Sequence, residues 1–187
     1  MKTITISKKD MEKRVARFKD LKPLPIQQSD VPLEARDIVY ARKLLSVIGL
    51  EDGQTPINAD APIRDAAGMT MTLAVCPPGQ GPGLHAHRQT YETFTVLKGK
   101  FEVTWNDDGS ERAVLELFDT VSFPPGVCRA FRNIGEDEGI LQVLITGGVH
   151  DMTDIDFAED ARRRIEAVGR GLSKEFERAG FTFTAGT

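Results

Sequence analysis

The sequence predicts an all-β domain, a sandwich or barrel with Greek-key or jelly-roll topology, that carries a helical arm at each end. Short segments rich in β-branched and aromatic residues recur between residues 43 and 148, and clusters of Gly, Pro, Asn and Asp separate them. Many short strands at regular spacing are typical of antiparallel sandwiches and barrels. Helical periodicity is confined to the two ends of the chain. A length of 187 residues fits one domain with a substantial core.

The first region, residues 1–42, is predicted to be a helical arm. Ser7-x-x-Asp10 resembles a capping box. Apolar residues follow it at helical spacing, namely Met11, Val15 and Phe18. Two prolines then end that helix, and Pro32 is placed to open a second short one. We expect this arm to provide packing or dimer contacts rather than chemistry.

The middle region, residues 43–148, is predicted to form the barrel. Eight segments have strand character, namely 44–49, 70–76, 92–97, 101–105, 113–117, 121–123, 129–132 and 140–146. The first of them also fits a helix, and a strand is favoured because Gly53 and Pro56 cut the segment short. The run Asn106-Asp107-Asp108-Gly109 predicts a hairpin turn between the fourth and fifth segments.

The last region, residues 149–187, is predicted to be a helical extension. Five apolar residues trace one helical face, namely Phe157, Ala161, Ile165, Val168 and Leu172. Gly169 and Gly171 interrupt the pattern. We expect this helix to pack on the outside of the barrel or against a partner subunit.

Composition argues against several classes of partner. The net charge is −4, and the one basic cluster, Arg162–Arg164, follows a run of acidic residues as an exposed helix prefers. Nucleic acid is therefore not an expected partner. The sequence contains neither a signal peptide nor an apolar run of membrane-spanning length. Its two cysteines are too few for a disulfide scaffold, so we expect a cytoplasmic protein with no membrane partner.

The most informative segment runs from Gly79 to Gly99 and has the order G-x5-H-x-H-x4-E-x6-G. On an extended strand, His85 and His87 project to the same side because alternate side chains share a face. Glu92, arriving from the next strand, would add a carboxylate to the two imidazoles. This 2-His-1-carboxylate set is typical of sites for Fe, Zn, Ni or Mn, so we expect a divalent metal here.

These motifs resemble those of the cupins, a family of small double-stranded β-helix (jelly-roll) barrels. The five positions of the first motif all match the family spacing. In the second motif, Pro124-Pro125-Gly126 and Asn133 match, but Phe118 stands where the family has Gly and Arg129 where it has His. The resemblance implies that His85, His87 and Glu92 are metal ligands. It also implies a homodimer, since cupins of this size are commonly dimers.

Arg129 leaves three hypotheses open, because a guanidinium has no lone pair to offer a metal. In the first, Arg129 lies in the cavity wall and binds an anionic ligand beside the metal. In the second, Arg129 pairs with Glu92 and the pocket contains no metal. In the third, another residue completes the metal shell, with His150 and Gln89 as the candidates.

Strand parity also predicts part of a ligand cavity. Phe94 shares the face of Glu92, and Phe131 shares the face of Arg129, with Trp105 as a further candidate. We therefore expect Arg129, Phe94 and Phe131 to contact the substrate. An apolar pocket with one arginine and one metal suits a small organic acid. The resulting hypothesis is an oxygenase or an isomerase/lyase with unassigned catalytic residues, and the alternative is a non-catalytic or metal-free ligand-binding protein.

Overall fold

The computed structural model describes residues 1, 3–50, 60–64, 68–148 and 152–186. Two sheets make up its barrel. The first sheet has the spatial order β1 (Lys43–Ile48), β2 (Met69–Cys76), β9 (Gly139–Thr146), β4 (Tyr91–Lys98) and β7 (Thr120–Phe123). The second has the order β11 (Thr182–Ala185), β10 (Ile155–Ala158), β3 (His85–His87), β8 (Arg129–Asn133), β5 (Phe101–Trp105) and β6 (Glu111–Leu115). Among these described strands, only β10 and β11 pair in parallel.

The core of the barrel lies between the two sheets. Phe94 and Val96 of the first sheet and Phe101 and Val103 of the second are fully buried in one cluster. Burial alternates along β4 and β5, as expected for strands with one face on the core. The predicted all-β fold, a double-stranded β-helix, is therefore confirmed.

The predicted strands lie close to the observed ones, and the largest shift is at β6. This strand begins at Glu111, two residues before the predicted start, because Trp105 pairs with Glu111 across the hairpin. Exposed charged residues at the start of a strand give no apolar signal. The predicted turn is present, with the Gly109 amide donating to the Asn106 carbonyl at 3.0 Å.

The first predicted helix is much shorter than its apolar spacing indicated. Ser7 caps α1 (Lys8–Glu12) through a hydrogen bond from the Asp10 amide to the Ser7 hydroxyl at 3.1 Å. The helix ends at Glu12, and the prediction that it continues through Phe18 was wrong. Met11 and Phe18 are exposed, so no packing surface extends the helix beyond its cap. Two 3-10 helices follow, at Phe18–Asp20 and Pro25–Gln28.

The second predicted helix is present as α2 (Leu33–Val39), directly after Pro32. It packs with the C-terminal helices α3 (Glu159–Val168) and α4 (Leu172–Arg178) in a second apolar cluster. Ile38 of α2, Ile165 of α3 and Phe176 of α4 are buried there. The two arms thus pack against each other. The predicted homodimer stays a prediction.

The C-terminal region contains strands that the helical pattern did not predict. A 3-10 helix, Met152–Asp154, leads into β10, where Phe157 pairs with His85 of β3 rather than opening the helix. The sequence does not predict this strand, because the buried carboxylate of Asp156 interrupts the run of apolar residues that would indicate it. It accepts hydrogen bonds from the Thr184 amide at 2.8 Å and from Arg88 Nη2 at 2.7 Å. The region therefore adds β10 and β11 to the second sheet.

The longest described helix, α3, has ten residues, and none of the described helices is long and apolar enough to cross a membrane.

Phe118 has a backbone conformation that normally favours glycine. It follows β6 with φ at 71°, and its side chain is 73% exposed. We predict that Phe118→Gly raises the free energy of unfolding by about 1 kcal/mol, because it removes the strain of a left-handed residue and loses little burial. Urea denaturation measures this change.

The neighbouring Leu117→Gly is the matched control, since Leu117 is also exposed, at 51%, but has no positive φ. It should destabilise the protein, because glycine there adds only backbone entropy to the unfolded chain. Equal destabilisation by both variants would contradict the assignment of strain to Phe118.

Candidate metal centre and adjoining cavity

The two sheets each contribute to one buried cluster of acceptor atoms. His85 and His87 come from β3 in the second sheet, and Glu92 comes from β4 in the first. Glu92 Oε2 lies 3.4 Å from His85 Nε2 and 3.8 Å from His87 Nε2. One ligand atom from each residue lies within 4.8 Å of the others, and all three side chains are buried. The short β3–β4 connection brings these residues together, as the motif predicted.

The hydrogen bonds of His85 determine which of its ring nitrogens faces the cluster. Its Nδ1 lies 2.9 Å from the Gly83 carbonyl oxygen. A carbonyl can only accept, so Nδ1 must carry the proton. In the neutral ring, Nε2 then presents a lone pair toward Glu92. Phe157 stacks on the same ring, with the centroids 5.2 Å apart.

His87 is oriented in the same way by a buried carboxylate. Its Nδ1 lies 3.0 Å from Asp154 Oδ2 and 2.8 Å from Thr90 Oγ1. The Thr90 hydroxyl donates its only proton to Asp154 Oδ2 at 2.5 Å. Both partners therefore accept from His87, and Nδ1 carries the proton. Burial lowers the pKa of His87, which favours the neutral ring with a lone pair on Nε2.

Sequence reasoning missed Asp154, which also fixes the loop between β3 and β4. Its Oδ1 accepts from the Gln89 amide at 2.7 Å, and its carbonyl accepts from the Arg88 amide at 2.8 Å. Burial would raise the pKa of Asp154, but the hydrogen bonds from His87, Thr90 and the Gln89 amide outweigh it and lower the pKa to about 2. Asp154 is therefore ionised beside His87 at neutral pH.

The second motif supports the same strand from the other side. The Gly126 amide donates to the His87 carbonyl at 2.7 Å, and its φ of 82° requires a residue that tolerates the left-handed region. The Asn133 amide group donates to the Cys76 carbonyl at 2.9 Å and so ties β8 to β2. The motif residues outside the acceptor cluster thus have structural roles.

Arg129 forms an ion pair with Glu92. Its Nε donates to Glu92 Oε2 at 2.8 Å, and its Nη2 lies 2.8 Å from the same oxygen. Nη1 donates to the Val127 carbonyl at 3.1 Å, and the whole side chain is buried. Burial would raise the pKa of Glu92, but the attraction of Arg129 outweighs it and lowers the pKa below its ordinary value. Glu92 is therefore a carboxylate.

The acceptor cluster fits a divalent metal by the chemistry of its donor atoms. Each Nδ1 proton is committed to an outer acceptor, so two Nε2 lone pairs and one carboxylate oxygen face the same space. Atoms of this kind at such short distances repel each other unless positive charge lies among them. Arg129 contacts only Glu92 Oε2 of the three atoms. A metal held by His85, His87 and Glu92 would neutralise all three.

A cavity of about 100 Å³ adjoins the cluster, and His85, His87 and Glu92 form part of its wall. The rest of the wall is largely apolar and includes residues from both arms, among them Leu24, Val39, Tyr40, Met152, Phe157 and Phe181. Sequence reasoning assigned the arms no part in the cavity. A volume of this size accommodates a small organic molecule or several waters.

The predicted substrate contacts lie at different depths. Phe131 lines the cavity. Phe94 is fully buried in the core, with its ring centroid 5.0 Å from that of Phe131. Arg129 is bound to Glu92 and is not among the lining residues. Trp105 packs on Phe123 away from the cavity wall.

Of the two candidates for a further metal ligand, Gln89 is exposed and contacts the site only through its backbone amide. Its exposed side chain does not support its candidacy as a metal ligand. His150 lies outside the described residues.

The fold and the site together define a double-stranded β-helix with two histidines and a glutamate clustered inside the barrel. Residues 72–145 match the family model of the cupin domain, which confirms the resemblance that the motifs predicted. No curated protein sequence matches the chain significantly.

Several solved structures resemble this fold. The cupin domain of Schizosaccharomyces pombe Cnp3 is 17% identical, with a TM-score of 0.43 over 56% of this chain and 64% of that chain. An oxalate oxidase is 24% identical, with a TM-score of 0.42 over 48% and 47% of the two chains. A structure from work on the DMSP lyases RdDddP and RnDddQII is 18% identical, with a TM-score of 0.45 over 56% and 47%. The chain thus spans about half to two thirds of the length of these proteins.

The buried ion pair yields a stability prediction. Arg129→Met should lower the free energy of unfolding by about 3 kcal/mol or more, because it leaves Glu92 buried without its cation. Adding Glu92→Gln should restore a large part of that loss, because the uncompensated charge is removed. Chemical denaturation of the two single variants and the double variant measures this coupling.

Arg132→Met is the control on the same strand, since Arg132 is 59% exposed and pairs with Glu102 at the surface. It should change the free energy of unfolding by no more than about 1 kcal/mol. Equal effects of the Arg129 and Arg132 variants would contradict a buried, energetically coupled pair.

Proposed function

We propose that this cupin holds one divalent transition metal at His85, His87 and Glu92 and binds a small organic acid in the adjoining cavity. One observation carries the proposal. Both imidazoles are fixed by acceptors at Nδ1, from Gly83 and Asp154, so that both Nε2 lone pairs face the same carboxylate oxygen. An imidazole that binds a metal through one nitrogen almost always donates the N–H of its other nitrogen to such an acceptor, which supports a metal at this cluster.

Different residues of the chain then bind the metal, orient the imidazoles and exclude water. Three protein ligands leave coordination positions for ligand atoms, and a bound metal would supply Lewis acidity or, if it is iron, the activation of oxygen. Asp154 and the Gly83 carbonyl hold the imidazoles in one tautomer. The apolar wall excludes water and strengthens electrostatic contacts at the cluster. An oxygenase or an isomerase/lyase is compatible with this arrangement.

Charge balance supports an acidic ligand. With neutral imidazoles, a divalent metal beside Glu92 and Arg129 gives a net charge of +2 in a largely apolar enclosure. Asp154, on the far side of the His87 ring, offsets one of these charges. A ligand carboxylate bound at the metal would offset another and lower the cost of burying the charged cluster.

A second candidate is a metal-free binding pocket, and the Arg129–Glu92 ion pair favours it. The guanidinium already supplies one positive charge to Glu92 Oε2 at 2.8 Å. A divalent metal and a guanidinium about 4 Å apart would repel each other by roughly 8 kcal/mol at an effective dielectric of 20. In this candidate the pocket binds a small ligand without catalysis.

Metal content separates the two candidates. Protein purified without added metal should contain about one equivalent of a transition metal by elemental analysis, and chelation should lower its Tm, because a bound metal stabilises the folded state. His87→Ala should lose most of this metal, because it removes one of the three ligands. Absence of metal together with an unchanged Tm on chelation would contradict the metal-dependent function and favour the metal-free pocket.

Asp154 should tune the affinity of the site. We predict that Asp154→Asn weakens metal binding by about 10- to 100-fold. A carboxylate orients the His87 ring and raises its basicity, and a neutral amide does so much less. Competition with a chromophoric chelator measures the affinity. Asp156→Asn is the control, since Asp156 is a buried aspartate of the same segment that binds Arg88 and Thr184 and not a histidine. Equal losses in both variants would show that Asp154 acts only through folding.

A further inference from the structure

Tyr40 lines the cavity and carries an unpaired hydroxyl. The residue directly follows α2 and is only 8% exposed. It lines the same cavity as His85, His87 and Glu92. Its hydroxyl oxygen is fully buried and has no hydrogen-bond partner among the residues that the structure describes. Buried hydroxyls are nearly always paired, so this one calls for a partner that the described residues do not supply.

The remainder of Tyr40 is firmly held. Its amide donates to the Arg36 carbonyl at 2.9 Å, and its carbonyl accepts from Gln80 Nε2 at 2.6 Å. Its ring meets the ring of Phe181 edge-on, with the centroids 5.7 Å apart. Both arms therefore fix the ring, and a fixed donor binds a ligand without a further loss of conformational freedom.

The phenol is neutral at physiological pH. Burial raises its pKa well above the ordinary value, so the hydroxyl retains its proton and donates it. A neutral donor suits a hydroxyl or carbonyl oxygen on a ligand. Within a mostly apolar wall, the Tyr40 hydroxyl would hydrogen-bond to one polar group of a molecule whose acidic end is bound elsewhere in the cavity.

We propose that the Tyr40 hydroxyl is a specificity-determining contact that donates a hydrogen bond to a second oxygen of the cavity ligand, which is therefore a hydroxy or oxo acid. The placement of the acidic end at the metal rests on the proposed function, whereas the contact of Tyr40 with the second oxygen does not. Apolar acids that lack this oxygen leave the phenol unpaired and bind more weakly.

The test uses benzoate and its three hydroxy isomers as probes, with calorimetric titrations on the wild type, Tyr40→Phe and Tyr91→Phe. Tyr91 is the other tyrosine of the chain and is about half exposed, which makes it the matched control. We expect Tyr40→Phe to weaken at least one hydroxybenzoate by about five- to tenfold, because it removes one neutral hydrogen bond. Benzoate affinity should stay the same, and Tyr91→Phe should bind all four probes as the wild type does.

Two further measurements separate this contact from a structural role and from the metal. Without a probe, Tyr40→Phe should have a Tm equal to or above that of the wild type, because it removes an unpaired buried hydroxyl. Its metal content should match the wild type. A lower Tm, equal affinities of both proteins for every isomer, or no binding of any probe to the wild type would overturn the proposal. If the protein binds no metal but Tyr40→Phe still weakens a hydroxybenzoate, the proposed role of Tyr40 stands and the metal-dependent function is rejected.

Discussion

Three buried acceptor atoms that face one another are the constraint on which the rest of this structure depends. His85 Nε2 and His87 Nε2 lie within 3.8 Å of Glu92 Oε2, and lone pairs at such distances need positive charge nearby. The surrounding groups either orient these lone pairs or supply positive charge. Asp154 and the Gly83 carbonyl direct both lone pairs inward, and Arg129 compensates the glutamate. The central question of function is which cation completes the cluster.

The two arms are part of the site as well as packing elements. The N-terminal arm provides Tyr40, and the C-terminal segment provides Asp154, β10 and much of the cavity wall. Because α2 and α3 share one apolar cluster, each arm stabilises the position of the other. Removal of either arm would therefore open the cavity, and removal of the C-terminal segment would also take away the Asp154 contact to His87. The barrel and both arms thus contribute to the wall of one cavity.

The sequence was informative wherever the relevant contacts are local. The short β3–β4 connection brings Glu92 to the two histidines, so spacing and strand parity sufficed to predict the acceptor cluster. Asp154 is 67 residues from His87, and its acidic neighbours resemble a helix N-terminus. Parity cannot show which way a long side chain turns, so the pairing of Arg129 with Glu92 remained one of several hypotheses. The requirement of each Nδ1 for an acceptor was the only signal for Asp154, and it does not give a location.

The most direct test is a crystal structure of the protein purified without added metal, with anomalous diffraction measured above and below the absorption edges of the first-row metals. We predict one anomalous peak about 2.0–2.2 Å from His85 Nε2, His87 Nε2 and a Glu92 oxygen. A well-ordered site that lacks such a peak, with the Arg129 guanidinium as its only cation, would contradict the account.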